Sequence, residues 1–513
     1  MHPSNFFRKL INTVKKGKHS TIIALILILL CGIAIRLLSF GGQPFWWGDI
    51  ARDYMVGFHI AKYHEIPVVG PTATGLSGAG GFFYYPPVYY YFVGLLIFLF
   101  KTPPTVTLFY IILNAFSVVA IYFIGKLLFS KGTGLWAAVF YVVSGNMISE
   151  SYGMVSASTT VPIFLWVVLY LIWSCKKQSF PHMVIGLYLL SIVGVLYYSA
   201  LVALMFFLCI CLYILRKNIK QIICILLFVA AFNISLYYPL FQYFGFQTTV
   251  AAFLPQHGIT SMGIGKIVQI GQMFLESEID KNQIYINVML VSSLVLFVVA
   301  VIQRRTVSLL AYPLTLLFLM LALSVVKGGV ILDHAFRLYG PSLFLILGFL
   351  IDTVWRAHGR SIKLLVLVIA LINLYIFAQG FYYFHFDTTE YMDDKNITDI
   401  IVKTINQYHL AGEYKLTVAT EYDYSWESPT IWYLLETTTG QKLVKVINQG
   451  ESLEEINTGK YYFLICKSTD KKWRGICYSE FPQHHIGYDL YEEIPLRLSL
   501  ENYYSVYLFK RAY

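Results

Sequence analysis

The sequence predicts a polytopic α-helical membrane protein of roughly eleven spans, followed by a small α/β domain. Three observations point there. Hydrophobic residues make up 57% of the 513 residues and charged ones only 13%, where a soluble domain carries about 25% charge; the mean hydropathy is +0.63. Apolar runs recur from Thr21 to Phe384, and a bilayer admits such runs only as helices or closed barrels. From Asp387 onward, charge density rises and strand-like segments appear: Lys415–Thr420, Lys442–Ile447, Tyr461–Lys467 and Tyr504–Phe509. Helical candidates, Thr398–Tyr408 and Pro429–Glu436, alternate with them, which is an α/β pattern.

The net charge of +10 is not a nucleic-acid signal. The basic residues form short clusters between apolar runs, which suits cytoplasmic loops better than a binding face. Residues 1–20 carry Arg8, Lys9, Lys15, Lys16 and Lys18, a bias that holds this end in the cytoplasm. Thr21–Phe40 is long enough to span and reads as a retained first helix. It opens a transmembrane core over residues 21–385, expected in a plasma or inner membrane.

Residues 41–87 form the first outward loop. They are too polar to span and too aromatic for a tether. Trp46–Trp47 precede Asp49, Arg52 and Asp53. Ala51–Tyr63 places apolar residues at helical spacing and is expected to lie as an amphipathic helix at the membrane surface. The glycine tract Gly75–Gly81 follows, and Tyr85-Pro86-Pro87 starts the next helix, where proline is tolerated.

Further runs are Val88–Phe100, Val106–Gly125, Gly134–Ile148, Val161–Trp173, Val184–Tyr198, Leu201–Leu215 and Ile222–Leu240. A second outward loop is expected over residues 241–285. Four more runs lie at Ile286–Ile302, Leu309–Val326, Leu338–Val354 and Leu364–Phe384. The basic loops Gln303–Arg305 and Trp355–Lys363 belong in the cytoplasm. Lys327–Arg337 and residues 386–513 then lie outside. Strict alternation from the first span contradicts this count, so between Val88 and Leu240 one run is a half-span or a broken helix, or two of the runs are one. The shortest, Val88–Phe100 and Val161–Trp173, are the suspects.

Cys31, Cys175, Cys209, Cys211 and Cys224 sit in or beside apolar runs as packing residues. Cys466 and Cys477 lie in the polar region and are expected to pair across a hairpin in an oxidising compartment, the bland alternative being two buried free thiols. No CxxC or HExxH spacing is present.

Asp49 directly follows the first span, with a second acid and an arginine within one turn. A carboxylate there can take a proton from an attacking hydroxyl. The bland alternative is a helix-capping acid in a solvated loop. The order of features from Gly48 to Tyr91 resembles the C-type (GT-C) membrane glycosyltransferases of the protein O-mannosyltransferase-like and aminoarabinose-transferase-like branch. These features are an acid near Ala-Arg-Asp, a helix, a proline, a glycine tract and Pro-Pro-Val-Tyr-Tyr-Tyr. The resemblance implies a GT-C core and a polyprenyl-phosphate sugar donor. It also implies a lipid, glycan or protein acceptor and Asp49 as the catalytic base. Family members often carry lysine or glycine before the prolines. This chain has Tyr85, which carries no lysine role and joins the aromatic run Phe82–Tyr91 as a sugar-stacking candidate.

Arg52 and Asp53 are candidate substrate contacts, and the resemblance adds Glu150 in an outward turn, where the bland reading is an exposed loop acid. The resemblance further implies that Arg337, after Asp333 and His334, holds the donor phosphate. An arginine fork suits that task, whereas the bland reading is an arginine that snorkels to the headgroups. Some branches need a divalent cation; Asp49, Asp53 and Glu150 are the candidate ligands, and no cofactor is otherwise expected. The expected reaction is an inverting hexosyl or pentosyl transfer on the outer face. The rivals are a flippase or transporter of lipid-linked saccharides, and a surface-polysaccharide ligase or polymerase. A transporter would place its charges along a path within spans, whereas the acids here concentrate in loops. A ligase or polymerase would carry its key loop late in the chain.

Overall fold

The computed structural model describes residues 20–40, 48–70, 72–73, 83–84, 86–153, 156–197, 199–245, 283–302, 337–357, 360–383, 389–410, 414–420, 428–446, 453–455, 461–468, 488–497 and 503–511. They fall into two compact units. The first is Met1–Gly41, Thr72–Pro86 and Thr107–His385; the second is Gly42–Pro71, Pro87–Val106 and Phe386–Tyr513. The polar C-terminal region is therefore not a unit by itself, because it takes in most of the first loop and the helix after it.

The first unit is helical. Helix α1 (Ser20–Phe40) has no acid and 21 residues, and at about 1.5 Å per residue it reaches about 30 Å. Its Ile26, Leu27, Leu30 and Leu38 are exposed, as lipid-facing side chains are. Among the described residues five helical stretches are long and apolar enough to cross a membrane: Ser20–Leu38, Pro103–Leu128, Ser158–Lys177, Ile219–Phe244 and Ile362–Gln379. The protein is an integral membrane protein.

Helix α2 (Gly48–Tyr63) and the 13-residue α3 (Val88–Phe100) belong to the second unit. The first unit resumes at Thr107 within α4 (Pro103–Leu128) and continues through α5 (Lys131–Val143), α6 (Gly145–Ser149) and α7 (Ser156–Lys177). After these come α8 (Phe180–Leu196), α9 (Ala200–Ile214), α10 (Ile219–Phe244), α11 (Gln283–Ile302), α12 (Gly340–Ala357) and α13 (Arg360–Tyr383). The two suspected half-spans resolve differently. Val161–Trp173 is the middle of the 22-residue α7. Val88–Phe100 stands alone as α3 and at about 1.5 Å per residue cannot cross about 30 Å of hydrocarbon. The run Gly134–Ile148 is broken at Ser144. That residue ends α5 in an extended conformation, and its side chain caps α6 by accepting from the Met147 N–H at 3.3 Å.

Helix α5 is central to the first unit. A Cβ at Gly134 would lie 2.3 Å from the Tyr122 carbonyl oxygen of α4, and one at Gly348 of α12 would lie 2.8 Å from the Thr133 carbonyl oxygen. Glycine lets both neighbours approach closely, as small residues do between membrane helices. Phe140 then packs on Phe377 and Tyr141 on Phe344, with ring centroids 5.6 and 6.2 Å apart, and Phe344 meets Phe377 at 5.2 Å. A two-residue ladder joins β1 (Thr72–Ala73) to β2 (Phe83–Tyr84) antiparallel. The tract Gly75–Gly81, Tyr85, the second loop apart from its ends, the run Leu309–Val326 and the basic Gln303–Arg305 lie outside the described residues.

In the second unit α2 packs on α3 through Gly57, where a Cβ would meet Val93 at 2.6 Å, and Gly94, where one would meet Ile60 at 3.0 Å. Helix α14 (Thr389–Tyr408) leads to β3 (Tyr414–Thr420), α15 (Ser428–Thr439), β4 (Val444–Val446) and β5 (Leu453–Glu455). Strands β6 (Tyr461–Ser468), β7 (Tyr488–Arg497) and β8 (Tyr503–Arg511) follow. The main sheet has the order β3-β6-β8-β7, and only β3 and β6 are parallel. Strand β7 is not read from the sequence because Pro495 interrupts it. As an edge strand it tolerates a residue that cannot donate to the ladder.

Two expectations are corrected here. The helix of the first loop is not a surface-lying amphipath: Ile50, Ala51, Tyr54, Met55, Val56 and Phe58 are all buried, as are Asp53 and His59. Its polar Arg52, Asp53, His59 and Lys62 have protein partners. The second concerns only the hairpin placed around Cys466: the residue is disulfide-bonded, as expected, while Cys31, Cys175, Cys209, Cys211 and Cys224 are free thiols. Cys477 lies outside the described residues. Both edges of β6 are taken, with Cys466 opposite Ala419 of β3 and Ser505 of β8. A strand returning directly after β6 therefore cannot pair with it as a simple hairpin.

Candidate active site

The break at Ser144 organises the polar centre of the first unit. After the single turn of α6 the chain reverses through Glu150–Gly153, which places Glu150 at the C-cap of α6. Glu150 is 5% exposed. Its Oε1 accepts an ion pair from Arg337 Nη1 at 2.6 Å, and the Ser158 hydroxyl of α7 donates to its Oε2. Arg337 Nη1 also donates to Ser158 Oγ at 3.4 Å. Arg337 sits in the turn before α12, so its side chain is anchored where a span begins. Two residues singled out from the sequence, Glu150 and Arg337, thus meet in space. The snorkelling alternative for Arg337 does not hold, since its charge is directed at a buried carboxylate. Asp333, His334 and Tyr85 lie outside the described residues.

Beneath this cluster is a residue the sequence reading passed over. Arg36 of α1 is fully buried. It donates to Asn114 Oδ1 at 3.2 Å, to the Gly32 carbonyl at 3.2 Å and to the Met147 carbonyl at 3.3 Å. The signal was available: a charge inside an apolar run is a functional candidate by default. Ser158 had no such signal, because one hydroxyl in a membrane helix is ordinary.

In the second unit Asp49 lies in the first turn of α2, where negative charge is favoured by the unpaired N–H groups. Three residues on, Arg52 donates through Nε and Nη2 to Asp53 Oδ1 at 3.2 and 3.0 Å. Asp53 is 2% exposed, so it acts as the partner of Arg52. Lower on the same helix His59 stands between two carboxylates. Its Nδ1 is 2.8 Å from Glu65 Oε2, and its Nε2 is 3.3 Å from Glu436 Oε2 of α15. Lys442 pairs with Glu65, and Glu436 Oε1 accepts the Leu443 N–H at 2.8 Å. Tyr433 completes the anchor, its ring 5.0 Å from Tyr54 and 5.2 Å from Phe58. Burial, with Glu436 and Glu65 nearby, pushes the Tyr63 phenol well above its ordinary range.

This clamp ties the acid-bearing helix to α15. Glu436→Ala is expected to cost about 3–5 kcal/mol, because it leaves a buried histidine with one carboxylate fewer and removes an acceptor from a buried N–H. Hydrogen exchange of residues 48–63 is the check. Protection there should fall together with that of residues 428–446.

Of the three candidate cation ligands, the Asp49 side chain lies outside the described residues. Both oxygens of Glu150 are engaged by Arg337 and Ser158, and Asp53 holds an arginine. Among the described residues no group of three or more His, Cys, Asp and Glu side chains is placed to hold a metal ion.

No protein-family model matches the sequence, and no curated protein matches it. Solved structures do match in fold. ArnT from Cupriavidus metallidurans, solved bound to undecaprenyl phosphate, superposes with a TM-score of 0.58 at 8% identity. That match covers 96% of this chain and 98% of that one. The oligosaccharyltransferase AglB from Archaeoglobus fulgidus, in complex with an inhibitory peptide and a dolichol-phosphate, gives 0.50 at 10% identity over 93% of this chain and 74% of that one. Against the same organism's oligosaccharyltransferase tethered to an acceptor peptide, this chain spans 63% of the other's length, with a TM-score of 0.49. Agreement over nearly the whole of both chains at such low identity is agreement of architecture: this protein has the fold of the C-type (GT-C) membrane glycosyltransferases.

Proposed function

We propose that this protein transfers a hexosyl or pentosyl group from a polyprenyl-phosphate donor to an acceptor hydroxyl at the outer face of the membrane. The observation that carries the reading is the half-buried Arg337 held by the buried Glu150 and Ser158 at the start of a span. A guanidinium held there has N–H donors left over for the oxygens of a lipid phosphate. In the reaction the acceptor oxygen bonds to the anomeric carbon, and the bond from that carbon to the phosphate oxygen breaks. The acceptor proton passes to Asp49, and polyprenyl phosphate departs with the bonding pair. Attack opposite the leaving group inverts the anomeric centre. Arg337 stabilises the charge that gathers on the phosphate, the kind of electrostatic help that often dominates such chemistry.

The orientation proposed with it puts the N-terminus in the cytoplasm and the two outward loops and the C-terminal region outside. Tyr85 and His334 are assigned as further substrate contacts, and Arg52 and Asp53 as supports for the helix that carries Asp49.

The reading is tested in proteoliposomes loaded with radiolabelled polyprenyl-linked sugars extracted from membranes that make the protein. A transferase releases free polyprenyl phosphate in step with acceptor labelling. Movement of intact labelled lipid between leaflets, with no polyprenyl phosphate released, would instead identify a flippase.

A further inference from the structure

Arg36 has the environment of a charge waiting for a counterion. Directly after it α1 presents apolar side chains to lipid, with Leu37 42% and Leu38 86% exposed, while Arg36 itself is 0% exposed. Its hydrogen-bond partners are all neutral: an amide oxygen and two backbone carbonyls. The Tyr141 ring lies 5.7 Å from the guanidinium carbon, and Tyr141 also donates to Asn114 Oδ1 at 3.2 Å. Among the described residues no carboxylate lies within ion-pairing distance of Arg36. The fork carries more N–H donors than these three bonds use, and arginine does not shed its proton in proteins.

The same residue grips the turn that carries Glu150 from both sides. Its Nη2 holds the Met147 carbonyl before Glu150. Its own carbonyl accepts the Tyr152 hydroxyl after Glu150, at 2.5 Å, and Tyr152 stacks on Phe40 at 6.4 Å. Arg36, Glu150 and Arg337 together hold two guanidinium groups against one carboxylate, an excess of one positive charge. In a medium of low dielectric that excess acts over several ångströms.

We propose that Arg36 is a positioning residue of the lipid-phosphate site and its hidden second cation. It fixes the turn on which Glu150 holds Arg337, and it leaves the pocket one positive charge in excess, which the phosphate of the donor neutralises. The proposal rests on the glycosyltransferase reading above, through the phosphate ligand. It does not require Arg36 to touch the ligand. The bland alternative is a staple that joins α1 to α4 and α6 and has no bearing on charge.

The test compares two lipids of the same tail on the full chain in nanodiscs: undecaprenyl phosphate and uncharged undecaprenol. Arg36→Gln keeps amide donors but loses the charge. Asn114→Asp is nearly isosteric and sets a carboxylate against Arg36 Nε, cancelling the charge without removing the side chain. Both are expected to weaken undecaprenyl phosphate about tenfold or more while leaving undecaprenol unchanged. If Arg36→Gln fails to fold, Asn114→Asp alone decides. Phosphate affinity that is unchanged in Asn114→Asp, or lost equally for both lipids, would overturn the proposal and leave Arg36 as a staple. If the unmodified protein itself fails to distinguish the two lipids, the glycosyltransferase reading falls and takes this proposal with it. If Arg337→Ala loses the distinction while the Arg36 and Asn114 variants keep it, only the proposal about Arg36 falls.

Discussion

Asp49→Asn is expected to lower sugar transfer by about 10²–10⁴-fold, the usual contribution of a positioned base, with donor binding and thermal stability nearly unchanged. The substitution keeps the size and the capping ability of the side chain at the first turn of α2 and removes only its capacity to accept a proton. The neighbouring acid should respond differently. Asp53 is buried and holds Arg52 at 3.0 Å, so Asp53→Asn weakens a salt bridge inside the second unit. Its effect belongs in the melting temperature before it belongs in turnover. Single-turnover rates and melting curves measured on both variants separate the two roles. Near-normal turnover in Asp49→Asn, with Asp53→Asn the slower protein, would transfer the base assignment to Asp53.

The second large effect concerns Arg337. Arg337→Ala is expected to cost about 2–5 kcal/mol of affinity for the polyprenyl-phosphate donor, while the acceptor is bound almost as before. It also strands Glu150, 5% exposed, without its cation, and breaking such a pair is typically destabilising by about 3–5 kcal/mol. The two consequences can be told apart with Glu150→Gln. That change keeps a partner for Ser158 and removes the carboxylate that competes with phosphate for Arg337. Donor binding should hold or tighten in Glu150→Gln and collapse in Arg337→Ala. Equal loss in both would mean that the ion pair serves the fold alone, and Arg337 would lose its assignment to the phosphate.

Where the sequence was explicit, one dominant force acted on neighbouring residues. Apolar runs of bilayer length become helices because backbone groups in hydrocarbon bond within their own segment. The runs from Thr21 to Leu240 accordingly all fall on helices, with ends shifted by a few residues. The apolar segment Tyr461–Lys467 becomes the central strand β6 because burial on both sides favours it. Glu150 and Arg337 were legible one at a time, as polar residues where apolar runs stop. Asp49 was legible for the same reason, and its role remains a proposal.

Tertiary structure alone decided who meets whom. Nothing local links Glu150 to Arg337, or His59 to Glu436. Each pair forms because helices far apart in the chain are brought to contact distance, by glycines such as Gly134 and Gly348 in one unit and by Tyr433 packing on Tyr54 and Phe58 in the other. Arg36 escaped notice because one charge barely alters the hydropathy of a long apolar run, whereas in three dimensions that charge must be enclosed by polar atoms. Helix α2 was read as lying at the membrane surface because its pattern is amphipathic, but pattern does not say whether water or protein covers the polar side. Hydrophobic burial and backbone hydrogen bonding act along the chain and are written in it; the pairing of buried charges depends on distances that exist only after the helices have packed.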